Sequence, residues 1–367
     1  METQNSTDSL LAFVDSVSKN SRLRVEDDLG DGFVRLRVSE AERRQAKQDI
    51  RCVEDAVIEL LRNARDAHAH NLFLASSRSG NVRTLTLIDD GEGVPESMRE
   101  LIFEPRVTSK LDTMRMDEWG VHGRGMALYS IQQNAESACV FASVPSGGTS
   151  IQAIFNCSRL SERNDQSTVP SLVQDQDGTW TLGSSPHNIV RTCAQFALSE
   201  AHASRDALGC RVHLGSPVEI AASLYAHGHR LIADGEVALD QLERCPLSVR
   251  LAASCDAAEF VDAAAHLGLS LSPRSAYRVM QGQISDAGVL LSRLPVVRQV
   301  SRKRKVDLSR DYRGLNIHQD DLDEFIHGLQ AAYSELASRY YLESDVIPEI
   351  RVAHDALHVS FPIRKVL

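Results

Sequence analysis

Apolar and polar positions repeat with two different periods along this chain, and the changes of period outline its elements. FVRLRV (33–38) alternates apolar and basic residues, the period of a half-buried strand. Ser39 follows as a good N-cap for a long helical pattern from Glu40 to Ala67. A second alternating run, TLTLID (84–89), comes after the turn signal Ser79-Gly80-Asn81 and ends in Asp90-Gly91-Glu92-Gly93-Val94-Pro95, a strand running into a glycine loop. The pattern then predicts a short helix over Glu96–Phe103, a loop over 104–122 and a helix from Gly125 to Asn134. Strands are predicted at 137–144 and 149–156, split by Pro145-Ser146-Gly147-Gly148. Upstream, Leu10, Leu11, Phe13, Val14 and Val17 give residues 1–21 the spacing of a short helix.

Residues 158–186 are rich in Ser, Asp, Gln, Gly and Pro and have few periodic apolar positions. They are predicted to be a linker between a domain at 1–157 and a second, mixed α/β domain at 187–367. In the second half, helices are expected at 187–206, 256–267 and 319–342, and strands at 210–214, 246–253, 347–353 and 357–363. No internal repeat is visible. AAAHLGLSLSPRSAYRVMQ (263–281) reads as an ordinary helix pair rather than a helix-turn-helix, given Pro273 and an acidic chain.

Composition narrows the classes. A length of 367 residues suits two domains, and 43% hydrophobic with 25% charged residues is ordinary for a folded protein with a real core. A formal net charge of -10 argues against a dedicated nucleic-acid coat, though it leaves room for a local basic patch such as Arg302-Lys303-Arg304-Lys305. That cluster suits a solvated loop, phosphate sensing or nucleic-acid backbone contact. No stretch approaches the roughly 18 apolar residues of a membrane span, and METQNSTDSLL lacks the basic start of a signal peptide. Seven dispersed cysteines with no CxxC pair read as reduced thiols of a cytoplasmic protein rather than a zinc site.

The chemistry concentrates on the 40–67 helix. At about 100° per residue, Val53, Val57, Leu60, Leu61 and Ala64 form an apolar stripe. Glu59, Asn63 and Asp66 form a second stripe roughly 140° around from it. One face can therefore pack on a sheet while the other offers a site two carboxylates and a carboxamide. A carboxylate can orient or deprotonate an attacking water. A neutral amide oxygen can ligate a hard Mg²⁺. Taken alone, the stripe is an ordinary solvated face; what changes its meaning is the sequence around it.

Asp89 stands at a strand end, where it can accept a hydrogen bond from an exocyclic amine. Gly91 and Gly93 let the backbone bend sharply and approach a ligand closely. Lys110, in VTSK, is a candidate phosphate-facing lysine. Gly120, Gly123 and Gly125 precede a helix, so their amides and the helix start can cradle phosphates. The chain contains no GxxxxGK[ST], so this is not a Walker A loop.

These segments, in this order, resemble the GHKL superfamily of gyrase, the ninety-kilodalton heat-shock chaperone, histidine kinases and MutL. ELLRNARDA (59–67) resembles E-x-x-x-N-A-x-D-A, and IDDGEGVP (88–95) resembles D-x-G-x-G. IFEPRVTSK (102–110) is similar to the histidine-kinase FEPF segment and to the MutL ATSK end. GVHGRGMALYSI (120–131) resembles the glycine box, and GGTSIQAIF (147–155) the closing Gly-Thr strand. The resemblance covers residues 40–157. It implies an α+β fold, a two-layer α/β sandwich, binding ATP with Mg²⁺. In that frame Glu59 is the base, Asn63 the magnesium ligand, Asp89 the reader of adenine and Thr149 its neighbour. Asp66, Gly91, Gly93, Lys110 and the glycines at 120, 123 and 125 complete the nucleotide site. Asp90 departs from the usual Asn, and Arg124 and Met126 stand inside the glycine box.

Three activities are compatible with such a domain: an ATPase coupled to lid closure, a kinase acting on a partner, and a sensor that binds without turnover. All 13 histidines follow Asn63, none precedes a Glu, and no upstream phosphoacceptor is present. Asp66 stands where the kinase pattern usually has Lys. Both points favour ATP hydrolysis. A homodimer, a partner protein or nucleic acid engaged through the second half are the partners left open, and no membrane is expected.

Overall fold

The structure, a computed structural model, describes residues 25–109, 115–117, 119–122, 125–174, 178–203, 210–235, 245–298, 319–352 and 357–364. Lys110, Gly123, Arg124, the helix expected within 1–21 and the basic cluster 302–305 lie outside the described residues. The chain divides into two compact units, Met1–Gln299 and Val300–Leu367.

The first unit opens with an antiparallel pair, β1 (Val25–Gly30) and β2 (Phe33–Leu36). The long helix expected over 40–67 is two helices, α1 (Glu40–Asp49) and α2 (Val53–Asp66). Ser39 caps α1 in a capping box with Glu42, as its position suggests. The break falls at Ile50-Arg51-Cys52. Asp55 in the first turn of α2 accepts the Arg51 amide at 2.9 Å, and the Val53 amide donates to the Ser161 carbonyl at 3.0 Å. The apolar period runs through the break unchanged, which is why the pattern hides it.

The central sheet runs, from edge to edge, through Arg211–Gly215, Asn71–Ser79, Val82–Asp89, Gly148–Asn156 and Ser137–Val144. Its strands β3 (Asn71–Ser79) and β4 (Val82–Asp89) form an antiparallel hairpin. Between β4 and the next sheet strand lie two 3-10 turns, Glu96–Met98 and Leu101–Phe103, in place of the expected helix. The expected loop at 104–122 carries three short strands. These are β5 (Val107–Thr108), which pairs with β2, and the hairpin of β6 (Arg115–Asp117) and β7 (Gly120–His122). Then come α3 (Ala127–Asn134), β8 (Ser137–Val144) and β9 (Gly148–Asn156), close to their expected bounds.

The boundary expected at 158–186 does not separate two bodies. After β10 (Leu172–Gln174) and β11 (Trp180–Leu182), helix α4 (Ile189–Ala203) packs on the same face of the sheet as α2. Strand β12 (Arg211–Gly215) then pairs parallel with β3, Val212 opposite Leu72, and becomes the sheet's edge. Next, α5 (Pro217–Ala233), a 3-10 run at Leu247–Ala253, α6 (Ala257–His266) and α7 (Pro273–Met280) cover the other face. A four-residue α8 (Leu290–Arg293) and β13 (Val296–Arg298), which pairs parallel with β10, close the unit. The sandwich of sheet and front helices is thus an α+β core to which the later segment adds an edge strand and a further helical layer.

Two apolar clusters hold the layers. In front, Val57, Leu60 and Leu61 of α2 and Phe196 of α4 pack on Leu72, Leu74, Leu85 and Leu87. Behind, Ile220 and Leu224 of α5, Leu247, and Phe260 of α6 pack on Phe73, Ile88 and Val144. Strand β3 is buried on both faces over Asn71–Ala75, so NLFLA reads as a continuous run without alternation. It escaped the period-two pattern for that reason. The opposite error occurs at 246–253, where alternating Leu247, Val249 and Leu251 imitate a strand. They form a 3-10 run pressed against α5 at Gly228, where an added Cβ would lie 2.9 Å from the Val249 Cα.

The second unit holds α9 (Gln319–Tyr340) and the antiparallel pair β14 (Glu349–Val352) and β15 (Leu357–Ser360). Tyr333, Ala337 and Val346 form its small cluster, with Phe361 stacked on Tyr333 at 4.3 Å.

Two measurements check this architecture. A chain ended at residue 186 loses β12 and the whole back layer, uncovering Phe73, Ile88 and Val144, and is expected to aggregate or melt without a cooperative transition. A chain ended at 299 keeps every layer and is expected to unfold cooperatively in a circular-dichroism melt. Separately, His213 on β12 is buried and stacked on Phe73 at 4.6 Å. Burial, with a further push from His227, lowers its pKa to about 4. A histidine depressed in the folded state stabilises the fold above its unfolded pKa and loses that contribution as pH falls. Urea midpoints should therefore drop between about pH 6.5 and pH 4, and His213→Gln should flatten that slope.

Candidate functional site

The apolar stripe of α2 is fully buried against the sheet, and this fixes where the polar stripe points. Val53, Val57 and Leu61 are completely buried, whereas Glu59, Asn63 and Asp66 line a cavity of about 670 Å³. The opposite wall is the end of β4 and the start of β9, contributing Asp89, Thr149 and Ile151. Gly93 and Val94 form one margin, and Gly125 and Met126, just ahead of α3, form another.

Asp89 is 4% exposed, and its position depends on glycine. Gly148 has φ +95°, and a Cβ there would lie 1.9 Å from the Asp89 carbonyl oxygen. Only a residue without a side chain lets β9 begin in backbone contact with the end of β4. Asp89 Oδ1 then accepts the amides of Gly91 at 2.9 Å and Thr149 at 3.3 Å. Gly93, at φ +75°, makes a similar approach, with an added Cβ falling 2.1 Å from the Val144 carbonyl oxygen. Gly91 sits behind the wall, against the Ala67 carbonyl. Ser143 braces the far side: its hydroxyl accepts the Val94 amide at 2.6 Å and lies 3.3 Å from the Thr149 hydroxyl.

Asp90, the departure from the usual Asn, has a structural task. Its Oδ1 accepts the amides of His70 and Asn71 at 2.7 and 2.8 Å, and its Oδ2 accepts the Asn71 side-chain amide at 2.6 Å. A carboxylate thus ties the end of β4 to the start of β3, taking three donors that a single amide oxygen would serve less well.

Asn63 carries a buried side-chain nitrogen with no hydrogen-bond partner. A buried donor left unmet costs about 1–3 kcal/mol, and at a cavity wall a ligand can meet it. A half-turn of the carboxamide exchanges nitrogen for oxygen, so this position can face either a phosphate oxygen or a hard cation.

The charges interleaved with the stripe were not visible as site residues in the sequence. Arg62 and Arg65, with side chains 3% and 5% exposed, lie on the same helix. Arg62 donates Nη1 to Glu59 at 2.7 Å, and its Nε and Nη2 grip both oxygens of Asp117 at 3.0 and 2.7 Å. Arg65 donates Nε to Asp66 at 3.0 Å, and Nη1 to Asp117 and Glu200 at 3.1 and 3.2 Å. Burial works to lower the Arg65 pKa, but Asp66, Asp117 and Glu200 outweigh it and hold the guanidinium above its usual value. Each carboxylate of the stripe is thus ion-paired to a buried arginine. The signal available in sequence was the i, i+3 spacing of Glu59 and Arg62; Asp117 and Glu200 come from 52 or more residues away.

The sequence-predicted residues therefore gather unevenly. Glu59, Asn63, Asp66, Asp89, Gly93, Gly125 and Thr149 line one cavity, with Gly91 supporting its wall. Gly120 is paired with Asp117 in the β6–β7 hairpin. Gly125, at φ +66°, presses against the backbone of Arg106 and Val107, and its carbonyl accepts the Arg106 amide at 2.7 Å. That contact anchors the start of α3 beside the cavity.

Comparison with known proteins finds a match over the segment that carries most of these residues. Residues 50–176 match the family model described as histidine kinase-, DNA gyrase B-, and HSP90-like ATPase. A DNA mismatch repair protein MutL from Thermus aquaticus is 43% identical over 84 residues, 23% of this chain and 15% of that protein. MutL from Lactiplantibacillus plantarum is 31% identical over 108 residues, 29% of this chain and 16% of that protein. The chain thus spans about a sixth of the length of these relatives. Among the described residues no helix is long and apolar enough to cross a membrane. A buried aspartate at a strand end, a glycine-bent turn and an Asn-bearing helix face stand around one cavity, and all three fall within residues 50–176, the part of this chain that matches the histidine kinase-, DNA gyrase B-, and HSP90-like ATPase family model.

Proposed function

We propose that this chain binds ATP with Mg²⁺ in the cavity between α2 and the β4–β9 end of the sheet, and hydrolyses it. The observation that carries the reading is the pairing of two opposed walls. One holds Glu59 and Asn63, with the Asn63 amide nitrogen buried and unpartnered; the other holds Asp89 beside Thr149. In this reading Asp89 accepts the adenine amine, with Thr149 beside it. The cavity margin at Gly125 and the start of α3 receive the phosphates. Lys110 adds a phosphate contact, and Gly120 and Gly123 contribute backbone amides to the same phosphate end. The Asn63 oxygen suits a hard cation, with the phosphates completing its oxygen shell. A bound Mg²⁺ supplies neutralisation of phosphate charge. Glu59 orients the attacking water and takes its proton. Asp66, held by Arg65, supports the adenine-side end of the stripe.

A second reading, ATP sensing without useful turnover, draws on one specific contact. Glu59 is ion-paired to Arg62 at 2.7 Å, so one of its oxygens is already engaged by a guanidinium rather than by an attacking water. The MutL relatives are named for DNA mismatch repair, but they match this chain over only 84 and 108 residues. Coupling to DNA, to a partner or to a second copy of the chain therefore belongs to the proposal and not to the match.

Two variants test the reading. Glu59→Ala is expected to retain affinity for a non-hydrolysable ATP analogue and to lower phosphate release at least about a hundredfold, the scale of a general base. Hydrolysis at the wild-type rate would overturn the assignment. An inactive wild type that binds ATP tightly would favour the sensor. Asp89→Asn turns an acceptor into a donor facing the adenine amine, and should weaken ATP binding by on the order of 1–3 kcal/mol in a calorimetric titration. Undiminished affinity removes Asp89 from the role of base reader.

A further inference from the structure

The two buried arginines of α2 converge on one carboxylate from outside the helix. Asp117, at the end of β6, accepts Nε and Nη2 of Arg62 on its two oxygens and Nη1 of Arg65 on Oδ2. Its Oδ1 also accepts the Trp119 amide at 3.1 Å. Trp119 in turn lies 6.2 Å from Phe196 of α4, ring centre to ring centre. The β6–β7 hairpin is therefore seated on α2 and α4 by one aspartate and one indole.

The planar fork of a guanidinium makes this arrangement directional. Once Nε and Nη2 are committed to Asp117 as a bidentate pair, the plane and rotation of Arg62 are set, and Nη1 reaches Glu59 along one line. The side chain of Arg62 is 3% exposed, so water offers little replacement for the acceptor that Asp117 provides. Without Asp117, Nε and Nη2 of Arg62 lose this carboxylate. Its charge then falls more heavily on Glu59, 2.7 Å away. The guanidinium would turn toward the carboxylate and draw it from the cavity.

We propose that Asp117 is a positioning residue for ATP hydrolysis, acting through Arg62 to hold the Glu59 carboxylate in place at the cavity wall. The hairpin thereby reports its seating to the hydrolytic carboxylate: when Asp117 is docked, Glu59 shares Arg62 with a second anion and faces the phosphates. The inference rests on the hydrolytic role of Glu59 proposed above. It concerns the rate of the chemical step and leaves adenine recognition at Asp89 untouched.

The test uses the full chain and reads two quantities, phosphate release at saturating Mg-ATP and the Kd of a non-hydrolysable ATP analogue. Asp117→Asn is expected to lower kcat by about tenfold or more, with Kd changed less than about threefold, because the lost interaction serves the transition state rather than binding. Asp117→Glu keeps the carboxylate and should recover most of that loss. The double variant Arg62→Gln/Asp117→Asn removes both charges of the pair while Arg65 keeps Asp66 and Glu200, and should turn over no more slowly than Arg62→Gln, since Asp117 acts on Glu59 through Arg62. If Asp117→Asn no longer binds the analogue and so has lost its fold, the double variant read against Arg62→Gln decides. Unchanged kcat in Asp117→Asn, or losses that multiply in the double variant, would overturn the positioning role while Glu59→Ala still abolishes turnover. A Glu59→Ala variant that remains active would overturn both readings.

Discussion

The packing of α2 on the sheet is the constraint from which the site follows. Its apolar stripe is buried against Leu72, Leu74, Leu85 and Leu87, so the helix cannot rotate without exposing several large side chains. Each buried aliphatic side chain is worth about 1.5–3 kcal/mol, far more than any single polar contact on the opposite stripe. Hydrophobic burial therefore aims Glu59, Asn63 and Asp66, and their chemistry inherits an orientation set by residues that never meet a ligand. The same rigidity explains how an unpartnered Asn63 nitrogen is tolerated: the packing beneath it is strong enough to hold an unmet donor at a cavity wall.

The second wall depends on close backbone approach rather than on side-chain packing. Gly148 and Gly93 lie in the left-handed region, where added Cβ atoms would strike the carbonyls of Asp89 and Val144. Their absence of side chains brings the end of β4 against the start of β9, so that one aspartate accepts amides from both its own turn and the neighbouring strand. Two mechanisms thus frame one cavity. A helix is held by area, and a turn is held by geometry.

Between these walls the charges are arranged as a network. Glu59, Asp66, Asp117 and Glu200 surround Arg62 and Arg65, drawing on α2, the β6–β7 hairpin and α4. Such networks are costly when one member is missing, because a buried charge then stands without its partner. That sensitivity suits a site in which the seating of one element has to influence the reactivity of another. The helical layer behind the sheet plays a different part. By burying Phe73, Ile88 and Val144, it covers the back of the central sheet and makes the strand order from β12 to β8 the core of a single body.

The sequence by itself determined the local chemistry: the two stripes of α2, the capped start at Ser39, the bend at Gly91 and Gly93, and the strands β4, β8 and β9. Each depends on residues close together in the chain, where periodicity and glycine are direct signals. Tertiary structure decided what those signals could not contain. The split between α1 and α2 depends on Ser161, and β3 hides its period because both its faces are buried. The 158–186 segment looks like a linker by composition, yet β12 beyond it pairs with β3. Asp117 and Glu200 join the site across long stretches of chain, and a charged residue in an unpatterned segment carries no mark of its partner. Short-range patterns are written in neighbouring residues, whereas register, sheet order and ion networks arise only when distant segments compete for the same buried surface.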